Sequence, residues 1–198
     1  MSDYYSALDK TDTSLSYEQV KRFEINGSVA FVYDIENGKL PKEYDECDVF
    51  YTEIPWDKGY EVFNKRADKK GGSYSKFVAS LTNIIQSVTY DKPLVIVAGK
   101  HLYSHIPVPS GVAYGVEFNG YPSMAYFYGI DIRDNIKVGS NEKIIEALSN
   151  EFNRVGDFCC GYGNVGKSFY KKGKSFVMSD INPRCIGYIK ENIKKWEN

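Results

Sequence analysis

The stretch Val155-Gly156-Asp157-Phe158-Cys159-Cys160-Gly161-Tyr162-Gly163-Asn164-Val165-Gly166-Lys167-Ser168 holds the residue types best placed for ligand chemistry. A short apolar run ends in an acid, a glycine-rich turn follows, and a helix is expected beyond it. Glycines let backbone approach a ligand that a Cβ would push away, and the N-terminus of the following helix offers unpaired N–H groups. Gly161, Gly166, Lys167 and Ser168 satisfy the phosphate-loop pattern, which points to ATP or GTP, with Lys167 on the phosphates and Ser168 on magnesium. Three more acids, Asp34, Glu53 and Asp180, also end apolar runs. Asp180, ending the strand after the glycine turn and followed by Asn182-Pro183, suits a ribose diol, since one carboxylate can accept from both hydroxyls. The turn therefore admits two incompatible ligands, a nucleoside triphosphate or a nucleoside held through its ribose.

These residues need elements to carry them. Ser16-Tyr17-Glu18-Gln19 has the form of a capping box and predicts a short helix from Tyr17 to Phe23. Residues 28–34 read as a buried strand ending in Asp34, and residues 47–53 as a second ending in Glu53, stopped by Pro55-Trp56. Residues 57–72 read as a long polar loop closed by Gly71-Gly72, and a loop of that length is usually functional or disordered. Phe77, Val78, Leu81, Ile84, Ile85 and Val88 fall at helical spacing, and 93–99 is apolar throughout, as a strand covered on both faces would be. Residues 112–118 and 124–130, with a turn at Asn119-Gly120, predict an antiparallel hairpin. Ser140 is placed to cap a helix holding Ile144, Ile145, Leu148 and Phe152. After the glycine turn come a helix of about two turns, a strand over 176–180 and a last helix opened by Pro183. Buried strands alternating with helices give an α/β fold, a mostly parallel sheet with an antiparallel hairpin edge. Ligands of such sheets bind beyond the C-terminal strand ends, where the acids converge.

The totals fit one ordinary globular domain, residues 28–198, preceded by a polar segment over 1–27. A net charge of −1 supplies no general basic field for nucleic acid, so any such contact must be local. Cys47, Cys159, Cys160 and Cys185 lack paired zinc spacing, and adjacent Cys159 and Cys160 have poor geometry for a disulfide. His101 and His105 have no further ligand nearby, so no metal is expected. With no signal peptide and no apolar run long enough to span a membrane, a cytoplasmic protein with reduced thiols is expected.

One resemblance separates the two ligands. Residues 157–163, Asp-Phe-Cys-Cys-Gly-Tyr-Gly, resemble the Asp-Pro-Phe-Cys-Gly-Ser-Gly motif of amino-methylating DNA methyltransferases, which use S-adenosylmethionine (SAM). Asp180-Ile181-Asn182-Pro183 is similar to their second motif. Asp48-Val49-Phe50-Tyr51-Thr52-Glu53-Ile54-Pro55-Trp56 looks like their catalytic segment, with Glu53 where the family has Asp or Asn and Ile54 in place of the first proline. The catalytic segment precedes the SAM turn, as in the permuted β-type enzymes, and the likeness covers residues 28–197.

That resemblance implies a Rossmann-like SAM-methyltransferase sheet in circularly permuted motif order, acting on adenine N6 in DNA. SAM would be bound by Asp34, Asp157, Phe158, Cys159, Gly161, Gly163, Asp180, Ile181 and the helix capped by Ser140. Glu53 and the carbonyl of Ile54 would accept the two amine hydrogens, Pro55 would stiffen the turn, and Trp56 would stack on the flipped base. Lys58, Lys65, Arg66, Lys69 and Lys70 would meet DNA phosphates, with Lys100, His101 and His105 as further contacts. The alternatives are a SAM-binding protein with a degenerate catalytic segment, an enzyme of RNA or of a protein amide, and a phosphate-loop triphosphatase.

Overall fold

Continuous apolar runs can hide both faces only inside a layered structure, and here they form the middle of one sheet. The computed structural model describes residues 16–55, 58–118, 121–130 and 140–197. Its strands are β1 (Arg22–Ile25), β2 (Ser28–Val32), β3 (Val49–Glu53), β4 (Leu94–Ala98), β5 (Gly111–Phe118), β6 (Tyr121–Tyr128), β7 (Arg154–Asp157) and β8 (Ser175–Asp180). They lie in the order β1-β2-β8-β7-β3-β4-β6-β5. Strands β2, β8, β7, β3 and β4 run parallel. Strand β6 is antiparallel to both β4 and β5, which forms the expected hairpin edge, although its turn at Asn119-Gly120 lies outside the described residues.

The opposite edge differs from expectation. Residues 22–25 are strand β1, not the end of a helix begun at Tyr17, and they pair antiparallel with β2. Asn26 (φ 47°) and Gly27 (φ 76°) make the tight left-handed turn between the two strands. Phe23 and Ile25 pack on the core while Arg22 and Glu24 face solvent, a period of two that suits a strand. The capping-box pattern had no helical face to support it.

Helices cover both faces. Helix α1 (Lys58–Arg66) occupies the first half of the expected loop, and α2 is Tyr74–Val88. Helices α3 (Asn141–Glu151), α4 (Asn164–Lys171) and α5 (Pro183–Asn192) complete the set. Phe77, Leu81, Ile84 and Ile85 of α2 share one cluster with Phe50, Ile96 and Val177 of the sheet. Ile144, Phe169, Ile186 and Ile189 of α3, α4 and α5 share the other with Tyr51, Val95 and Met178. Alternate residues of one strand thus feed opposite layers. Helix α1 escaped the sequence pattern because Tyr60 is its only large buried side chain. Residues 18–20 cross α5: the Val20 N–H donates to the Pro183 carbonyl at 3.1 Å. Gly187 leaves the space that the Glu18 carbonyl occupies, where a Cβ would lie 2.0 Å from that oxygen.

The centre of the sheet is tight. Phe50 pairs with Gly156, and a Cβ on Gly156 would lie 2.6 Å from the Phe50 ring. Phe50 is buried and cannot swing out. Gly156→Ala is therefore expected to cost about 1–3 kcal/mol, read as a lowered urea midpoint with an unchanged slope.

Candidate active site

Strands β7 and β3 are neighbours, yet the chain leaves them in opposite directions. From β7 it passes through α4 to β8; from β3 it passes through α1 and α2 to β4. Such a switch point opens a crevice beyond the C-terminal strand ends. The glycine turn leaves one wall of it and Glu53-Ile54-Pro55 leaves the other.

The turn is built around two carboxylates. Asp157 is 4% exposed, and its Oδ1 accepts the Cys159 N–H at 3.1 Å, which bends the chain out of β7. The Gly161 N–H then donates to Asp180 Oδ2 at 2.9 Å, fastening the turn to the end of β8. Asp180 Oδ1 accepts the Asn182 N–H at 2.8 Å, and Asn182 caps α5 by accepting the Arg184 N–H at 3.0 Å. Gly161 has φ 48° and open space where a Cβ would stand. Gly163, at φ 79°, caps α4, and a Cβ there would press on Ile189 and Met178. Burial pushes the carboxyls of Asp157 and Asp180 above the usual range, against the opposing pull of their backbone donors.

The other turn residues divide. Phe158 is buried in the core and Cys159 packs against the same cluster, so both meet the crevice through backbone at most. Ile181 is half-buried beside Asp180. The phosphate-loop pattern loses its physical basis. Gly166 is a packing glycine whose Cβ would meet Met178 at 2.4 Å. Lys167 is exposed, and Ser168 donates to Ser149 of α3 at 3.1 Å, away from the strand ends.

Across the crevice, Tyr51 and Glu53 lie two residues apart on one strand face. The Tyr51 hydroxyl donates to Glu53 Oε1 at 2.6 Å, and Asn141 Nδ2 donates to the same oxygen at 3.0 Å. Burial raises the Glu53 pKa while these two donors pull it down. Ser140 caps α3 by accepting the Lys143 N–H at 3.3 Å, and so sets where Asn141 begins the helix. The Ile54 side chain is buried in the core, Pro55 is half-buried, and Trp56 lies outside the described residues.

Asp34 caps the short turn Ile35–Asn37 through the Glu36 N–H. Its Oδ2 lies 2.9 Å from Lys69 Nζ. Lys69 also pairs with buried Glu36, onto which the Tyr60 hydroxyl donates. Burial lowers the Lys69 pKa, but its bonds to Glu36 and Asp34 outweigh that and hold it raised. Lys69 is thus turned inward, whereas Lys58, Lys65 and Lys70 face solvent. Arg66 lies over the Phe63 ring, 5.7 Å from its centroid. Lys100, His101 and His105 are exposed on the segment that follows β4. A separate cavity of about 560 Å³, lined by Arg22, Glu24, Lys42, Glu43 and Arg154 among others, sits by the β1–β2 turn and the start of β7, at the opposite edge of the sheet. Among the described residues no cluster of His, Cys, Asp and Glu could hold a metal ion, and no helix is long and apolar enough to cross a membrane.

Sequence reasoning found the acids and the glycines. It missed Asn141, Glu36 and the role of Tyr51. Period two along β3 could have found Tyr51; nothing local signals a contact between Asn141 and Glu53, 88 residues apart.

No family model matches the chain. Over 57 residues, 28% of its length, it is 33% identical to the release factor glutamine methyltransferase of Borreliella burgdorferi, and the match spans only 20% of that relative. Among solved structures, M1.HpyAVI superposes with a TM-score of 0.52 at 12% identity, covering 83% of this chain and 98% of its own. TTHA0409 of Thermus thermophilus, a proposed DNA modification methylase solved with SAM, superposes with a TM-score of 0.56 at 13% identity, covering 84% and 93%. The chain has the mixed α/β sheet of SAM-methyltransferases, mostly parallel with an antiparallel hairpin.

In an unfolded chain Asp157 would ionise at about pH 4, but burial makes the folded chain keep that proton to higher pH. Folding takes up a proton between the two values, so the stability contributed at this site falls as pH rises through that window. Asp157→Asn keeps an acceptor for Cys159 and removes the titration. Calorimetry without added ligand is expected to show a higher melting temperature than wild type at about pH 8 and none of that gain near about pH 4. An equal gap at both would show that Asp157 ionises normally.

Proposed function

We propose that the chain is a SAM-dependent methyltransferase that methylates an exocyclic amine, adenine N6 in DNA foremost. The observation that carries this reading is the position of Glu53-Ile54-Pro55 directly across the topological switch from a glycine turn fastened to Asp180. The order of these parts, catalytic segment first and glycine turn later, is that of the permuted β-type enzymes that the sequence resembles.

The residues present fit the cofactor. Each Asp180 oxygen accepts one backbone N–H and keeps a lone pair for a ribose hydroxyl. The open space at Gly161 lets a nucleoside approach the backbone, with half-buried Ile181 beside it. Asp157, Phe158, Cys159 and Gly163 shape that turn, and the α3 helix capped by Ser140 closes the side near Glu53. Asp34 would reach the adenine only by sharing its carboxylate with Lys69. Bound SAM supplies an electrophilic methyl group.

The chain's own residues would prepare the nucleophile. The lone pair of an exocyclic amine is delocalised into its ring and attacks poorly. Glu53 accepts one amine hydrogen and the Ile54 carbonyl the other, which draws the nitrogen toward tetrahedral geometry, while Trp56 stacks on the extruded base. Glu53 accepts most strongly when ionised; burial raises its pKa and the two donors oppose that rise. Solvent-facing Lys58, Lys65 and Lys70 would track phosphates, with Arg66 beside them, whereas Lys69 is held inward by Asp34 and Glu36. DNA as the substrate class is supported by the likeness to TTHA0409, a proposed DNA modification methylase.

A second reading rests on the Borreliella burgdorferi relative. A glutamine side-chain amide has an equally delocalised nitrogen, and the same acceptor pair would serve it.

Both readings are tested with the full chain. Thermal stabilisation by SAM and by S-adenosylhomocysteine, but not by Mg-ATP, is expected, and Asp180→Ala should abolish it. With tritiated SAM, label should pass to unmethylated DNA and fall ~100-fold or more in Glu53→Ala. Label found only in RNA or only in protein would replace DNA with that substrate. Transfer that survives Glu53→Ala would place the chemistry elsewhere.

A further inference from the structure

Glutamate is one methylene longer than the aspartate of the resembled catalytic segment. A free chain of that length samples more rotamers and carries its acceptor past the strand end. Here it is held back. Both donors, the Tyr51 hydroxyl at 2.6 Å and Asn141 Nδ2 at 3.0 Å, meet the same oxygen, Oε1. They approach from different elements, one from β3 itself and one from the first turn of α3. Two fixed donors on one oxygen set the rotation of the carboxylate plane, so Oε2 is left for a further donor.

We propose that Tyr51 and Asn141 are positioning residues that clamp Oε1 of Glu53 and present Oε2 alone to the substrate amine. This rests on the reading of Glu53 as the amine acceptor. Tyr51 is 1% exposed and sits in the core beneath the crevice, so its ring is fixed by packing and its hydroxyl has one place to point. Asn141 is 9% exposed, and its Oδ1 is buried without a hydrogen-bond partner among the described residues. An amide that leaves its own acceptor unsatisfied is costly to bury. Its bond to Glu53 is what accounts for its presence there. The amide orientation follows from that contact, since ionised Glu53 can only accept. The longer side chain is therefore tethered by donors from two elements.

Three variants test the clamp. Tyr51→Phe removes one oxygen and keeps the ring, and Asn141→Leu keeps the side-chain volume. Each is expected to lower kcat roughly tenfold or more while the thermal shift with SAM and the KM for SAM stay as in wild type. In a Glu53→Ala background, Tyr51→Phe should add almost nothing, because the clamped group is gone. A carbon-13 titration of the Glu53 carboxyl supplies a readout apart from activity. Loss of either donor should move its midpoint upward, with Tyr51 and Asp157 the titratable groups that face it. Unmoved midpoints in both single variants would overturn the clamp, as would additive losses in the double variant. A wild-type chain that transfers no methyl group to any amine would instead refute the functional reading, and the titration would still decide the clamp.

Discussion

Carboxylates at the ends of buried parallel strands must find donors or give up their charge, and this constraint shapes one whole edge of the molecule. Four neighbouring strands deliver an acid to that edge, either as their last residue or just beyond it. Each is met by a donor: the Cys159 N–H for Asp157, the Gly161 and Asn182 N–H groups for Asp180, Tyr51 and Asn141 for Glu53, Lys69 for Asp34. Removing such a donor strands a partly dehydrated acid, so the loops above the sheet are tied down by electrostatics as much as by packing. The walls of the crevice are the partners of these acids.

Much of this edge was legible because its signals are local. An acid closing an apolar run and a glycine turn opening a helix are written within a few residues, and Asp157 to Gly163 and Asp180 to Pro183 stand where those signals put them. Buried apolar runs and helical patterns likewise marked the strands from β3 onward and helices α2, α3 and α5. The failures share a cause. At residues 17–23 a four-residue capping pattern competed with Asn26-Gly27, and the turn prevailed because β2 was there to pair with. Helix α1 is fixed by Tyr60 reaching Glu36, a contact between segments that no periodicity records.

The candidate site was less legible than the fold, for the same reason at longer range. Lysines in a polar segment read alike in sequence, yet Lys69 is drawn inward by Asp34 and Glu36 while its neighbours face solvent. The phosphate-loop pattern shows the converse: Gly166, Lys167 and Ser168 are matched letter by letter but point at β8, solvent and α3. A motif carries chemistry only when its side chains face one another, and facing is decided by strands far away in the chain.

Residues 18–20 lie against the start of α5, with Val20 bonded to Pro183 and the Glu18 carbonyl seated on Gly187. The first described segment and the last helix therefore meet in space. A short peptide bridge between them, with a new opening in an exposed connection elsewhere, would preserve every strand pairing and every donor above the acids. The order in which β3 and the glycine turn follow one another is then no requirement of this architecture. The same crevice could be reached by a gene reading its halves in reverse.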